Sequence, residues 1–227
     1  MSKLILVRHG ESVWNKENLF TGWTDVSLSE NGIEEAKKAG ALLKGEKIDV
    51  CYTSVLTRTL QTAKNILDAA GLSNVPQIHD WHLNERHYGA LQGLNKAETA
   101  EKYGADQVKI WRRSYDVKPP LLEKDDKRNP AFDEKYKDLK PEELPLAESL
   151  FDTVNRVVPY YEKEILPRLK NGENVLIVAH GNSLRALEMF ISKYTPEEIV
   201  ELNIPTASPF VYEFDGAMNV LNSYYLK

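Results

Sequence analysis

Apolar residues occur along this chain in two patterns: short uninterrupted runs, and longer stretches in which they recur at helical spacing. Three runs rich in branched residues, Lys3–Val7, Ile48–Thr53 and Asn174–Ala179, are typical of strands buried on both faces of a sheet. Gln77–Leu83 is a further strand-like segment. These runs predict the central strands of a sheet.

Near the end of the chain, Phe210–Phe214 and Val220–Tyr225 alternate between apolar and polar positions around Asp215-Gly216. This pattern predicts a terminal hairpin. Between the strands, apolar residues three or four positions apart predict helices. The predicted helices are Ile33–Lys44, a segment from Ser54 to Gly71, Lys96–Arg113 with a break at Gly104, Ser149–Leu169 with a bend at Pro159, and Asn182–Tyr194.

Serine residues mark two of the predicted helix starts. Ser27 and Glu30 have the spacing of a capping box, and Ser54 is placed to cap the following helix. Because strands and helices alternate along the chain, we predict a three-layer α/β/α fold with a mainly parallel central sheet.

The charged stretch Lys118–Pro145 contains five prolines and has no clear period. We interpret it as a long surface excursion, within a lid-like insertion at about 114–148, because long loops in compact domains are often binding loops. No linker divides the chain, and we therefore expect one catalytic domain over residues 1–227.

Charge and composition exclude several classes of protein. The chain has 227 residues, of which 42% are hydrophobic and 28% charged, and these values argue against general disorder. The net charge of −5 argues against a surface that binds nucleic acid. No apolar run approaches the ~20 residues of a membrane span. The single cysteine, Cys51, is predicted to be a small buried hydrophobe, and we expect a cytoplasmic protein.

Two strands end in the same way. Leu4–Ser12 (LILVRHGES) and Val175–Ser183 (VLIVAHGNS) each place His-Gly, a polar residue and Ser after an apolar run. Ligands of open parallel sheets bind beyond the carboxyl ends of the strands. If the two strands are neighbours, His9 and His180 face one pocket, and Gly10 and Gly181 let backbone amides approach a ligand closely.

A single histidine at a strand end is more often a hydrogen-bonded structural group than a nucleophile. Arg8 shifts the balance for His9, because a guanidinium at the end of a buried strand is costly without an anion. The other three histidines lack a completing cysteine or a regular carboxylate spacing. We predict packing or surface roles, and no metal, for His79, His82 and His87.

Several motifs taken together resemble the histidine phosphatase superfamily and, more narrowly, its cofactor-dependent phosphoglycerate mutases. The matching segments are LVRHGES-VWN (6–15), FTGWTDVSLSENG (20–32), YTSVLTR (52–58), LNERHYGALQGLNKAET (83–99), WRRSYD (111–116), AHGNSLRAL (179–187) and ELNIPT (201–206). RHG alone would indicate only the superfamily. The NERHYG segment together with WRR is typical of the mutases.

The resemblance implies a phosphoglycerate mutase-like fold and a role for each matching residue. His9 matches the residue that is phosphorylated, and Glu85 matches the proton donor and acceptor. Arg8, Arg58 and His180 match the groups that surround the transferred phosphoryl. The remaining matches are to substrate-binding positions, and they are Ser12, Asn15, Thr21, Gly22, Arg86, Tyr88, Lys96, Arg112, Arg113, Gly181 and Asn182.

The activity implied by the resemblance is the interconversion of 3-phosphoglycerate and 2-phosphoglycerate, a step of glycolysis and gluconeogenesis. Phospho-His9 would give its phosphoryl to one hydroxyl of the substrate and recover the other from enzyme-bound 2,3-bisphosphoglycerate. The bisphosphate would also prime the enzyme, without a metal. The resemblance further implies a homodimer or homotetramer that acts on a small molecule.

These residue types suit the chemistry independently of the resemblance. An attacking imidazole must be neutral, with its tautomer fixed by a hydrogen bond. Fixed cations stabilise the charge of a phosphoryl transition state, and we expect Arg8, Arg58 and a protonated His180 to supply them. Lys96 and the Arg112-Arg113 pair add positive charge that suits a substrate with a second anionic group.

Two other functions remain open. A phosphatase of the same superfamily would let water intercept phospho-His9, and the chain ends at Leu226-Lys227 without the tail that helps cover the pocket in longer mutases. A phospho-ligand binding module would keep the fold but lose the chemistry. The presence of His9, Glu85 and His180 together argues against the second of these alternatives.

Overall fold

Six strands form one sheet at the centre of this computed structural model, which describes residues 1–227. The strands are β1 (Ser2–Arg8), β2 (Val50–Thr53), β3 (Gln77–His79), β4 (Val175–Ala179), β5 (Phe210–Phe214) and β6 (Val220–Tyr225), in the spatial order β3-β2-β4-β1-β5-β6. Strands β1 to β4 pair in parallel, whereas β5 is antiparallel to both of its neighbours. The predicted mainly parallel sheet and its terminal hairpin are confirmed.

Helices surround this sheet. They are α1 (Val13–Lys16), α2 (Glu30–Leu42), α3 (Thr57–Ala70), α4 (Lys96–Tyr103), α5 (Ala105–Arg113), α6 (Leu150–Tyr160), α7 (Leu166–Lys170), α8 (Gly181–Ser192) and α9 (Pro196–Glu201). Short 3₁₀ turns occupy Trp81–Leu83, Gly89–Leu91, Pro130–Phe132, Glu134–Tyr136 and Pro141–Glu143. None of the helices is both long and apolar enough to cross a membrane.

The two faces of the sheet bury separate apolar clusters, because successive side chains of a strand point to opposite faces. On one face, α6 and α8 pack against the strands. The buried residues there include Leu4, Leu6, Val175 and Ile177 of the strands and Val157, Leu184 and Leu187 of the helices. On the other face, α2 and α3 pack against the strands. The buried residues there include Ile5, Val7, Leu176 and Val178 of the strands and Ala36, Ala39, Ile66 and Leu67 of the helices. The α/β/α layering therefore follows from central strands, such as residues 4–7 and Val175–Ala179, whose consecutive apolar residues face both sides of the sheet.

The pairing of β1 with β4 brings the two His-Gly motifs together. Leu4 lies opposite Val175, and the register continues to Arg8 opposite Ala179. The backbone N–H of His9 then donates to the carbonyl of Ala179 at 3.0 Å. Because both strands end at the same level of the sheet, His9 and His180 emerge beside each other, as predicted.

Both predicted serine caps differ from the structure. Ser29, not Ser27, caps α2, and its side chain accepts from the backbone N–H of Gly32 at 3.0 Å. Ser54 lies before the start of α3 and accepts from the N–H of Leu56 at 3.1 Å. Its hydroxyl instead contacts His180.

The helical stretch in which a bend at Pro159 is predicted changes from α-helix to π-helix just after that residue. Pro159 lies inside α6, and a π-helical segment, Tyr161–Ile165, separates α6 from α7. A proline lacks the N–H that would continue the α-helical ladder, which accounts for an irregularity in this stretch. Helix α9 was missed, although Thr195, Pro196 and Glu198 carry the signals of a helix start.

Candidate active site

A polar cavity lies beyond the carboxyl ends of β1 and β4, where ligands of parallel sheets bind. Most of the predicted site residues line it, and these are Arg8, His9, Asn15, Thr21, Gly22, Arg58, Glu85, Tyr88, Lys96, Arg112, Arg113, Gly181 and Asn182. Residues far apart in the chain are thus gathered in one place by the sheet topology.

His9 is held as a neutral imidazole with one free nitrogen. The ring is buried, and its Nδ1 lies 2.7 Å from the carbonyl oxygen of Gly10. Because a carbonyl can only accept, Nδ1 carries the hydrogen and Nε2 keeps its lone pair. Burial, together with Arg58 and Arg8, holds the pKa of His9 well below its usual value. This is the state that a nucleophilic histidine requires.

Two cations lie beside His9, the buried Arg58 and the partly buried Arg8. Arg58 donates to the carbonyls of Thr24 at 3.0 Å and Gly22 at 2.7 Å. Arg8 donates to the carbonyl of Ile204 at 2.9 Å. The Nε of each arginine is buried without a hydrogen-bond partner. A buried donor in this condition favours an anionic ligand that can accept from it.

Burial lowers the pKa of Arg58 to about 10, while Glu85 and Asp25 oppose that shift. Asp25 accepts from the backbone and side chain of Thr57, at 2.7 and 3.0 Å, and from Lys135 at 2.7 Å. An arginine with this pKa is charged at neutral pH. The fold therefore maintains a fixed positive charge beside the free nitrogen of His9.

Glu85 lines the same cavity, and hydrogen bonds to one oxygen orient its carboxylate. Its Oε1 accepts from the backbone N–H of Arg86 at 2.8 Å and of Asn182 at 3.1 Å. Its backbone carbonyl accepts from Nε1 of Trp23 at 2.6 Å. With Oε1 fixed in this way, Oε2 makes no protein hydrogen bond and can exchange a proton with a ligand oxygen.

His180 lies behind His9 and does not line the cavity. The two ring centroids are 5.1 Å apart, and His180 Nε2 lies 2.8 Å from the hydroxyl of Ser54. Burial, and then Arg58 and His9, hold the pKa of His180 well below its usual value. We expect a protonated His180 around the transferred phosphoryl, whereas burial, followed by the charge of Arg58, favours the neutral ring in the ligand-free site.

A second set of cations, from α4 and α5, lines the same cavity. Lys96 begins α4, while Arg112 and Arg113 end α5, and all three face the same space. Burial, followed by the charge of Arg112, lowers the pKa of Lys96. Its Nζ lies 5.9 Å from the ring centroid of Phe20. The turn at Gly104 between the helices brings these charges together.

Two further predicted residues act from outside the cavity. Ser12 caps α1 by accepting from the N–H of Asn15 at 3.1 Å. Arg86 is fully buried, and it donates to the carbonyls of Trp111 at 2.8 Å and Arg112 at 2.7 Å. Its guanidinium also lies 4.7 Å from the ring centroid of Tyr88. Both residues support groups that line the cavity.

The structure explains the glycine at position 10 differently from the prediction, which was a close approach of the backbone to a ligand. A Cβ at Gly10 would lie 2.4 Å from the carbonyl oxygen of Gly32, in the first turn of α2. The close approach is thus to a neighbouring backbone and not to a ligand. Gly181 does line the cavity, where a Cβ would lie 3.7 Å from Nε of Arg8.

Sequence reasoning missed part of the lining, namely Leu19, Phe20, Arg185, Leu202, Asn203 and Ile204. Arg185 follows Asn182 by three residues on α8 and donates to its side-chain oxygen at 3.3 Å. It also donates to the carbonyls of Ile199 and Val200. Its spacing from Asn182, on one face of the helix, is a signal that could have identified it.

The segment 114–148 contributes no residue to the cavity lining, in contrast to the expected lid. It packs instead against the loop that carries Glu85. The buried ring of Tyr136 lies 4.9 Å from Trp23, and its hydroxyl accepts from the side-chain amide of Asn84 at 2.9 Å. Arg128 donates to the carbonyl of Gln92 at 2.6 Å. These contacts support the loop that carries Glu85 on its side away from the cavity.

The three other histidines have local partners. His79 lies 2.7 Å from the hydroxyl of Thr53, His82 lies 2.7 Å from Asp80, and His87 Nδ1 accepts from the N–H of Gly89. No group of three or more His, Cys, Asp or Glu side chains is arranged to hold a metal ion.

The family of the chain follows from comparison with known proteins. A model of the histidine phosphatase superfamily (branch 1) matches residues 4–128 and 121–227. The chain belongs to this superfamily.

Solved structures share the same fold. They include Bacillus stearothermophilus YhfR, with 23% identity, 97% of this chain and 96% of that chain covered, and a TM-score of 0.73. A mycobacterial glucosyl-3-phosphoglycerate phosphatase has 25% identity, 94% and 93% coverage, and a TM-score of 0.68. A phosphoglycerate mutase from Bacillus anthracis has 23% identity, 93% and 88% coverage, and a TM-score of 0.65.

The lowered pKa of His9 predicts a pH-dependent cost to stability. Below about pH 6.5 the unfolded chain binds a proton at this residue and the folded chain does not, so stability falls as the pH falls. Between about pH 7.5 and about pH 5.5, the free energy of unfolding should fall by about 1 kcal/mol more for the wild type than for His9→Asn. Urea unfolding in phosphate-free buffer measures both values. Equal falls would show that His9 titrates normally.

Proposed function

We propose that this protein is a phosphoglycerate mutase, which interconverts 3-phosphoglycerate and 2-phosphoglycerate through a phosphoryl group carried on His9. The observation that carries the proposal is the presence of two sets of cations in one cavity. Arg8 and Arg58 lie beside His9. A second set, Lys96, Arg112 and Arg113, lines the same cavity from α4 and α5. A substrate with both a phosphate and a carboxylate can use both sets, whereas a simple monophosphate can use only one.

The first chemical step uses the free nitrogen of His9. Nε2 attacks phosphorus, and the bond from phosphorus to the leaving oxygen breaks, while Nδ1 keeps its hydrogen bond to Gly10. Arg8 and Arg58 stabilise the charge on the transferring oxygens, as metal ions do in other phosphoryl-transfer enzymes. Glu85 supplies the proton that the departing alcohol oxygen needs.

The reverse step delivers the phosphoryl to the other hydroxyl. Glu85, now a carboxylate, takes the proton of the attacking hydroxyl, and phospho-His9 returns to the free imidazole. Phospho-His9 thus converts 3-phosphoglycerate to bound 2,3-bisphosphoglycerate, which reorients in the cavity and gives its 3-phosphoryl to His9, leaving 2-phosphoglycerate. The second phosphate or the carboxylate of the bound bisphosphoglycerate would contact Lys96, Arg112 and Arg113. No metal takes part in this scheme.

A phosphatase is the second candidate, and one observation favours it. Residues 114–148 do not cover the cavity, so water is not excluded by this segment from phospho-His9. A phosphatase is also among the proteins that share the fold, beside a mutase. In that case the two cation sets would hold the substrate for hydrolysis and not for transfer between its hydroxyls.

An NMR assay on 3-phosphoglycerate separates the two candidates. The wild type should form 2-phosphoglycerate much faster than it releases inorganic phosphate, and added 2,3-bisphosphoglycerate should strongly increase the rate. His9→Ala should abolish both reactions, whereas a chelator should change neither. Dominant phosphate release, with no response to the bisphosphate, would identify a phosphatase.

The second set of cations predicts a selective effect of Lys96. Lys96→Met should raise KM for 3-phosphoglycerate by about 10-fold to 100-fold, because a charged hydrogen bond contributes about 1.5–3 kcal/mol. Steady-state kinetics with the same assay measure this change. Lys102→Met is the matched control, since Lys102 lies exposed on the same helix and outside the cavity, and it should leave KM unchanged. Equal KM values for both variants would remove the second anion site from the proposal.

A further inference from the structure

Arg156 of α6 binds the backbone of the loop that carries Glu85. It does so on the side of the loop that faces away from the cavity. Its guanidinium is buried and donates to three backbone carbonyls of that loop. The acceptors are the carbonyls of His82 at 2.7 Å, Asn84 at 3.0 Å and Glu85 at 2.8 Å. Arg156 itself does not line the cavity.

Glu148 completes this arrangement. Its Oε1 and Oε2 accept from Arg156 Nε and Nη2 at 2.7 and 2.9 Å, the paired geometry of a guanidinium with a carboxylate. Oε2 also accepts from the N–H of His87 at 2.8 Å, and the N–H of Glu148 donates to the carbonyl of His87 at 2.8 Å. The pair therefore fixes the backbone on both sides of Glu85.

A buried ion pair of this kind is a poor source of stability, because the cost of removing two charges from water offsets their attraction. The ion pair contributes more to the geometry of the Glu85 loop than to the stability of the protein. The planar donors of an arginine can satisfy several converging carbonyls and a carboxylate at once, which a lysine ammonium cannot do in the same geometry. The Trp23 ring, 5.7 Å from the guanidinium, adds a donor to the Glu85 carbonyl from the other side.

We propose that Arg156 and Glu148 are positioning residues that hold Glu85 where it can protonate the departing oxygen of the substrate. This inference rests on the proposed function, in which Glu85 is the proton donor. It predicts that disturbing the pair weakens proton transfer selectively and leaves phosphoryl transfer to His9 intact when no proton is needed.

Two phosphoryl donors separate these effects. With acetyl phosphate, His9 Nε2 bonds to phosphorus and acetate departs as a stable anion that requires no proton. With 2,3-bisphosphoglycerate, the same bond forms, but the departing alkoxide oxygen requires the proton of Glu85. Rapid-quench measurements of phospho-His9 formation give the rate with each donor, and the ratio of the two rates reports proton donation.

Arg156→Lys keeps the charge but loses the planar donors. We expect its ratio of bisphosphoglycerate rate to acetyl phosphate rate to fall about 10-fold or more, in the direction of Glu85→Gln, for which loss of the acid predicts about 100-fold or more. Glu148→Gln should show the same selectivity, and it is the deciding variant if thermal unfolding shows that Arg156→Lys does not fold. The matched control is Arg168→Lys, in the surface pair with Glu173 at 3.0 Å, which should keep the wild-type ratio.

A wild-type ratio in the folded variant, or equal slowing with both donors, would overturn the inference and leave the pair a merely structural role. Failure of the proposed function gives a different result. In that case the wild type would be phosphorylated by acetyl phosphate but not by 2,3-bisphosphoglycerate, and the inference would fall with it.

Discussion

Positive charge buried at the carboxyl ends of β1 and β4 is the constraint that shapes this site. The buried Arg58 and the partly buried Arg8 lie beside His9 and His180, and burial followed by these charges disfavours a further charge on either histidine. Backbone carbonyls accept hydrogen bonds from part of each guanidinium, and both histidines stay neutral. The remaining donors and the neutral ring together define a place for a phosphoryl group, since an anion relieves the repulsion that the fold maintains.

The same constraint explains how the surrounding chain is arranged. The loop with Glu85 must face the cations without forming a closed ion pair with them, because a carboxylate bound to arginine could not exchange a proton freely. Its Oε1 is occupied by two backbone N–H groups instead. Arg156, Glu148 and Tyr136 then hold that loop from behind. These three residues contact the backbone or side chains at, just before and just after Glu85.

The sheet and the meeting of His9 with His180 could be predicted from the sequence, because uninterrupted apolar runs and a repeated His-Gly leave few alternatives. Helix starts were less accessible. Ser27 and Ser29 are both close to acidic residues, and the cap is decided by a contact of Ser29 with Glu11, 18 residues earlier in the chain. The role of Arg86 was also not predictable, because it depends on a contact with residues distant in the chain. Arg86 is bound to the carbonyls of Trp111 and Arg112, which no local pattern encodes, whereas Arg185 has a local signal in its spacing from Asn182.

The central claim is that His9 carries the phosphoryl group. Mass spectrometry under alkaline conditions, after brief incubation with 2,3-bisphosphoglycerate, tests it most directly because phosphohistidine is acid-labile. The account predicts one phosphoryl on the peptide that contains His9, lost on acid treatment. Turnover of substrate without that modification, or an acid-stable phosphate on another residue, would contradict it. Absence of both turnover and modification would indicate a phospho-ligand binding module.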